Sequence, residues 1–215
     1  MHHSLDIPVG EITLRGRLYL PEDATGPVPV VIAHEGIGSV AEIGFPYAHL
    51  FTDAGLGVAF YDHRGFGHSD GEPRQQADPW QFARDMRHVI THLSLRDDVD
   101  PETIAVWGVS LGGMVATILA IRDPGAIGAL VNDAGCDCFD PDSPSFPMGR
   151  KVFGGSEDAT SASPEAMEAF FRADPHMSVV FELMKADQDA AGGPGAWRTY
   201  VQHFFETASQ WPGYG

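Results

Sequence analysis

The chain has 215 residues, of which 43% are hydrophobic and 20% charged, a composition typical of one globular domain with a modest addition. Thirteen basic and 30 acidic residues give a formal charge of −17, which disfavours roles in binding nucleic acids or anionic membrane surfaces. The sequence has no basic and apolar leader, no uninterrupted membrane span and only two cysteines, so we expect a cytoplasmic protein without a disulfide framework.

The first half of the chain alternates strand-like and helix-like segments. Residues 12–20 alternate apolar and polar side chains, as an antiparallel strand with one exposed face does. Short apolar runs at 28–33 and 57–61 predict strands buried on both faces, and a helical pattern at 45–55 lies between them. A polar, glycine-rich loop follows over residues 62–78.

The alternation continues with a helix that begins after Asp78, where Pro79 stands at the first helical position. Residues 104–108 and 127–131 are two further buried-strand patterns, and the residues from 111 to about 121 predict a helix between them. Apolar strands that alternate with helices predict an α/β fold. We expect a doubly wound, mostly parallel sheet covered by helices on both faces.

The pattern changes in the last third of the chain, which opens with a proline-rich loop and contains no strand-like run. Three amphipathic helix patterns begin there, near Ser163, Asp174 and Pro194. We therefore divide the chain into an α/β core over residues 1–138 and a helical, lid-like segment over residues 139–215. This segment follows the fourth buried strand, and we expect it to pack as a cap over the carboxyl edge of the sheet.

One motif carries the chemistry. The strand at 104–108 runs into Gly108-Val109-Ser110-Leu111-Gly112, and a helix follows at once. In this G-x-S-x-G nucleophile elbow, a sharp strand-to-helix turn presents a serine hydroxyl at the edge of a sheet. The glycines leave room for the strained turn, and the helix N-terminus directs free N–H groups at an oxyanion. We predict Ser110 as the nucleophile and the backbone N–H of Leu111 as an oxyanion donor; the alternative is a purely structural turn.

A second oxyanion donor should come from the loop after the first buried strand. That loop reads HEGIG at residues 34–38, and the backbone N–H of Ile37, or that of Gly36, is the candidate. A plain strand-to-helix turn is the alternative. In the loop after the next strand, we expect Asp62 and Arg64 to brace the chain rather than to take part in the chemistry.

In this order, the motifs H-x-G, Y-D-x-R-G-x-G-x-S-x-G and G-x-S-x-G resemble those of the α/β-hydrolase superfamily, over roughly residues 12–133. YDHRGFGHSDGEP and DPETIAVWGVSLGG are similar to peptidase-like and polyketide-associated hydrolases. HEGIG is similar to dienelactone hydrolases, which typically have a cysteine where Ser110 stands. The resemblance implies a serine esterase, thioesterase or amidase that cleaves a small substrate through an acyl-serine intermediate, without metal or cofactor. An acyltransferase would use the same residues.

The resemblance also implies an acid and a histidine after the nucleophile, each following a further strand of the sheet. The sequence shows neither strand, so we expect both to be absent from this chain. Within the chain, Asp133 is the candidate acid, and His203 or His176 is the candidate base. The alternative is a catalytically incomplete, hydrolase-like domain that binds a small ligand or needs a complementing segment.

Other residues that could bind a metal are better explained without a metal site. His88 and His92 have helical ligand spacing but no further ligand beside them, and Cys136 and Cys138 are too few for zinc, so we expect no metal. The expected partner is a small acyl substrate, with neither nucleic acid nor membrane. The apolar strand at 127–133, left at the edge of the sheet, also predicts a homo-oligomer.

Overall fold

The computed structural model describes residues 2–36, 38–133 and 163–208, with a few short stretches between 142 and 159. The chain forms two compact units. The first contains Met1–Arg74 and Asp78–Gly135, and the second contains Gln75–Ala77 and Cys136–Gly215. The boundary predicted between residues 138 and 139 lies outside the described residues.

The first unit is built on a six-stranded mixed sheet with the order β1-β2-β4-β3-β5-β6. The strands are β1 (His2–Val9), β2 (Ile12–Tyr19), β3 (Val28–His34), β4 (Gly57–Tyr61), β5 (Val99–Val109) and β6 (Ala129–Asp133). β1, β2 and β4 pair antiparallel, whereas β4, β3, β5 and β6 form a parallel set. The α/β class predicted from the sequence is confirmed, because the parallel strands β3, β4, β5 and β6 alternate with helices along the chain.

Two features of this unit differ from the prediction. β1 has no counterpart among the predicted elements, although Leu5 and Ile7 alternate with exposed residues and are buried. The helix predicted over 45–55 is instead a 3₁₀ turn at Phe45–Tyr47 followed by a short α1 (Ala48–Thr52). The α-helix is short because the segment begins in 3₁₀ geometry and must end before Gly55, whose φ of 80° lies outside the helical region.

Two long helices pack in the first unit, α2 (Pro79–Ser94) and α3 (Leu111–Arg122). The Asp78 carboxylate caps α2 by accepting hydrogen bonds from two backbone N–H groups, each at 3.0 Å, as the sequence predicts. Both helices contact β5, and α3 also contacts β6. Through β5 and α3, the chain passes from the strand beside β6 directly into a helix, and this junction is where the predicted nucleophile lies.

The second unit is helical where it is described. It contains α4 (Pro164–Arg172), α5 (Pro175–Gly192) and α6 (Ala196–Ala208), which follow the three predicted helix starts. Its core includes Phe171, Phe181 and Trp197, whose neighbouring ring centroids lie 5.8 and 5.2 Å apart. No strand follows β6 among the described residues, and none of their helices is long and apolar enough to cross a membrane. That this unit covers the carboxyl edge of the sheet stays a prediction.

The edge strand β6 generates the first testable prediction. Leu130 and Val131 on this strand are 36% and 54% exposed, and an exposed apolar edge pairs readily with another strand. We expect the chain to self-associate and Val131→Lys to reduce the association, as measured by light scattering over a range of concentrations. Leu95→Lys is the control, because Leu95 is also exposed but lies outside the sheet. A wild-type chain that stays monomeric at high concentration contradicts this prediction.

Candidate active site

Ser110 lies at the junction of β5 and α3 in an unusual backbone conformation. Its φ is 52° and its ψ is −118°, so it is one of two non-glycine residues with positive φ in the described chain. Such a conformation costs about 1–3 kcal/mol and persists only where the surrounding structure imposes it. Its side chain does not cap α3, although it stands at the N-cap position of that helix. The hydroxyl therefore remains available for other interactions.

The two glycines of the motif are required by the contacts around the turn. A Cβ atom on Gly108 would overlap the backbone of Gly112 and Gly113. A Cβ atom on Gly112 would overlap the backbone carbonyls of His34 and Glu35. The strand β3 and the first turn of α3 thus approach each other too closely for any side chain. This is the steric requirement expected of the G-x-S-x-G turn.

The loop after β3 lies directly against the predicted nucleophile. An ideal Cβ position on Gly36 lies 3.4 Å from the Cβ of Ser110 and 3.8 Å from its Oγ. The carbonyl of Gly36 accepts a hydrogen bond from the N–H of Ser39 at 3.3 Å, which closes a turn in this loop. Ile37, predicted as a donor to the oxyanion, lies outside the described residues. Its role, and that of Gly36, stay predictions.

Leu111 is the first residue of α3, and its backbone N–H has no acceptor within the helix because of its position. The N-terminus of α3 also carries a positive partial charge. A negatively charged oxygen bound beside Ser110 would therefore meet both a free donor and a favourable helix dipole. The geometry is compatible with the predicted role of Leu111.

The predicted acid and base have different positions in the fold. Asp133 is the last residue of β6 and pairs in register with Val109, so its backbone lies at the same sheet edge as Ser110. His203 is exposed on α6, and His176 lies on α5, both in the second unit. Within the described part of the first unit, no side chain forms a hydrogen bond with Ser110 Oγ. The relay of Asp133 and His203 therefore stays a prediction.

A buried group that the sequence analysis did not single out lies beside this site. The side chains of His34, Tyr61 and His63 are all buried at the carboxyl ends of β3 and β4. The ring centroids of His34 and His63 are 3.9 Å apart, and His63 also stacks on Phe82 at 3.8 Å. A signal for this meeting was present in the sequence, since neighbouring parallel strands bring their ends to one edge.

Burial shifts the titration of these groups towards their neutral forms. It lowers the pKa of His34 to about 4 and lowers the pKa of His63 well below its usual value, where His34 and Arg64 add to the effect. Burial also raises the pKa of the Glu35 carboxyl group, which follows His34 in the loop. At neutral pH, both imidazoles are thus uncharged.

The loop after β4 is braced as predicted. The Asp62 carboxylate accepts hydrogen bonds from the N–H of Ala41 at 2.7 Å and from the N–H of His68 at 2.9 Å. Arg64 donates two hydrogen bonds of 2.5 Å to Asp85, which is fully buried. These contacts fix the loop between β4 and α2. The structural roles predicted for Asp62 and Arg64 are confirmed.

Within the described part of the chain, no three histidine, cysteine or carboxylate side chains are grouped so that they could hold a metal ion. His88 is exposed on α2, one turn before His92, and Cys136 and Cys138 lie outside the described residues.

Comparison with known proteins identifies the family. Residues 26–136, just over half of the chain, match the family described as serine aminopeptidase, S33 (Hydrolase_4). The chain belongs to this α/β-hydrolase family. The resemblance seen in the sequence motifs is confirmed, and the match covers all of the first unit from the start of β3 onwards.

Several relatives are similar over the same region. The chain is 42% identical to a thiohydrolase of Aspergillus aculeatus over 118 residues, which are 54% of this chain and 36% of that protein. It is 36% identical to a polyketide transferase of Gibberella fujikuroi, over 55% of this chain and 37% of that protein. The structure of an α/β hydrolase from Penicillium sp. sh18 is 30% identical, with a TM-score of 0.56 over 60% of this chain and 44% of that one. The chain spans just over a third of the length of these two curated relatives.

The close packing around Gly112 leads to a prediction about stability. We expect Gly112→Ala to lower the free energy of unfolding by about 2 kcal/mol, because the added methyl group overlaps the backbone of β3's last residues. Gly125→Ala is the matched control, since nothing lies within 4 Å of a Cβ atom there. Urea denaturation of both variants measures the difference. Equal midpoints for the two variants would show that the turn is less crowded than described.

The buried histidines generate a prediction about pH. His34 has a pKa of about 4 in the folded chain and about 6.5 when unfolded, so the unfolded state binds more protons between these values. The free energy of unfolding should therefore fall as the pH decreases from about 6.5 to about 4, by on the order of 3 kcal/mol from His34 alone. His63 contributes with the same sign.

Chemical denaturation at a series of pH values measures this effect. In His34→Gln, the dependence on pH over this window should become shallower, whereas His88→Gln, a change at an exposed position of α2, should leave it unaltered. An identical slope in the wild type and in His34→Gln is the contradictory result.

Proposed function

We propose that the chain carries the nucleophile and the oxyanion-binding groups of a serine hydrolase or acyltransferase, with Ser110 as the nucleophile. The observation that carries this proposal is the backbone of Ser110, held at a positive φ between two glycines that tolerate no side chain. A strained backbone lowers the stability of the folded chain, and residues with such strain cluster at active sites. The contact between Gly36 and Ser110 adds a second chain segment at the same point.

The chemistry follows from this arrangement. Ser110 Oγ attacks the carbonyl carbon of the substrate and loses its proton to a general base, while the carbonyl oxygen becomes an oxyanion. The backbone N–H of Leu111 and an N–H from the loop at 36–38 donate to that oxyanion, and each such donor contributes on the order of 3 kcal/mol of barrier lowering. The thiolate or alkoxide then leaves with a proton, and water or another acceptor releases the acyl group from Ser110.

The relatives support a thioester or ester as the substrate class. One curated relative is named a thiohydrolase, and another is named a polyketide transferase. The first name describes a hydrolase and the second a transferase, so the two differ in whether water or another nucleophile accepts the transferred group. We therefore propose a small acyl compound as the substrate. Whether the protein is a hydrolase or a transferase then depends on whether water or another molecule accepts the acyl group.

The proposed chemistry requires a general base that takes the proton of Ser110. A relay of Asp133 and His203 would keep the required chain order after Ser110. A second candidate function is a hydrolase-like domain that binds a small ligand or needs a complementing segment to supply the base. One observation favours this second function: within the described part of the first unit, no histidine forms a hydrogen bond with Ser110, and His34 and His63 are buried.

Two further expectations concern the setting of this activity. The charge of −17 supports a protein that does not bind nucleic acids or anionic membranes. The low cysteine content supports a reducing, cytoplasmic location.

Hydrolysis of a p-nitrophenyl ester distinguishes the two candidate functions. If the 215 residues hold no positioned base, turnover should lie near the residual acceleration of about 10³–10⁴ over water that remains without a complete triad. Ser110→Ala should then change the rate little, and so should His203→Ala. A high rate that Ser110→Ala and His203→Ala each reduce to the same floor would instead establish the relay within this chain.

A further inference from the structure

Three buried side chains at the ends of β3 and β4 have polar atoms that form no hydrogen bond with the part of the chain that the structure describes. These atoms are His34 Nδ1, both ring nitrogens of His63, and the hydroxyl oxygen of Tyr61. The exposed fractions of the three residues are 5%, 8% and 5%, so bulk solvent does not satisfy these groups. Leaving such groups unsatisfied is costly, and native structures usually provide a partner for them.

A narrow cavity lies among the same residues. Its polar lining is formed by His34, Glu35, Ser39, Tyr61 and His63. The space in it that the centre of a water molecule can occupy measures about 10 Å³. One buried water requires about 10–15 Å³ by this measure and two to four polar partners. The cavity therefore has both the size and the lining that suit one water molecule.

The hydrogen-bonding chemistry of the three side chains is also complementary to water. A neutral imidazole has one bare nitrogen that accepts a hydrogen bond, and a tyrosine hydroxyl can donate one. A water molecule between them can accept from Tyr61 and donate to His34 and to His63. The cavity beside the three rings is too small for a larger ligand, and the rings themselves are in contact, with centroids 3.9 Å apart for His34 and His63 and 5.1 Å apart for Tyr61 and His63.

We propose that a single buried water bridges His34 Nδ1, one ring nitrogen of His63 and the hydroxyl of Tyr61, and that it fixes the end of β3 beside Ser110. The second part rests on the proposed function of Ser110. His34 is the last residue of β3, its carbonyl lies against Gly112, and Gly36 lies against Ser110. A link from the His34 ring to Tyr61 and His63 ties this segment to the end of β4. His34, Tyr61 and His63 are thus positioning residues.

A high-resolution crystal structure of the wild-type chain tests the water directly, whether or not Ser110 is a nucleophile. We expect one solvent peak within about 3.2 Å of all three polar atoms. The proposal is overturned if there is no peak, if the rings bond directly to one another, or if the peak scatters anomalously as a metal ion does.

The positioning role is tested by the rate at which a fluorophosphonate modifies Ser110. Tyr61→Phe keeps the ring but removes the hydroxyl, and we expect the rate constant at saturating probe to fall about 10-fold, less than the 10²–10³ caused by loss of an oxyanion donor. The probe concentration that gives half the maximal rate should not change. Tyr47→Phe, a change at an exposed tyrosine, is the matched control and should react like the wild type.

The outcomes separate the two proposals. A Tyr61→Phe variant that melts at a lower temperature but reacts at the wild-type rate has lost only stability, and the positioning role is then wrong. If wild-type Ser110 does not react at all, the proposed function and the positioning role fail together. In that case, the solvent peak still decides whether the water is present.

Discussion

The close approach of the end of β3 to the first turn of α3 is the contact on which the arrangement around Ser110 depends. The carbonyls of His34 and Glu35 lie where a side chain on residue 112 would have to be, so only glycine is accommodated. The same approach brings Gly36 against Ser110. A strained serine, a free helix N-terminus and a second backbone segment are thus brought together by packing of the main chain.

The side chains that surround this contact are uncharged or paired. Around it, the two histidines are buried and neutral, and the charged groups of the neighbouring loop are paired, as in the bidentate contact of Arg64 with Asp85. An oxyanion formed beside Ser110 would therefore be stabilised mainly by backbone N–H groups and the helix dipole. Such fixed dipoles need no rearrangement when charge develops, which is the advantage of a preorganised site.

The parts of the structure that could be predicted from the sequence are those determined by local patterns. The turn at Gly108–Gly112 and the N-cap at Asp78 each depend on a few consecutive residues, and the buried strands depend on short apolar runs. The bracing roles of Asp62 and Arg64 were predicted from the polar, glycine-rich loop at residues 62–78, in which both lie. The family assignment rests on these local motifs as well.

The parts that could not be predicted depend on contacts between distant segments. His34 and His63 are 29 positions apart in the sequence, and the order of the strands places both at one edge of the sheet without indicating that their rings meet. β1 is a strand because it pairs with β2, and its own apolar pattern is only Leu5, Ile7 and Val9. The predicted helix at 45–55 is short because it begins as a 3₁₀ turn and ends before Gly55, which has a positive φ. In each case, a tertiary contact or a backbone constraint added to what the local pattern indicates.

The most direct test of the account is a crystal structure of the chain after slow reaction with a fluorophosphonate. The tetrahedral phosphorus mimics the intermediate of acyl transfer. Its oxygen occupies the position of the oxyanion. The account predicts that phosphorus is bonded to Ser110 Oγ and that its oxygen lies about 3 Å from the backbone nitrogen of Leu111, on the side of Gly36. Modification of a different serine, or an oxygen directed away from Leu111, would contradict it.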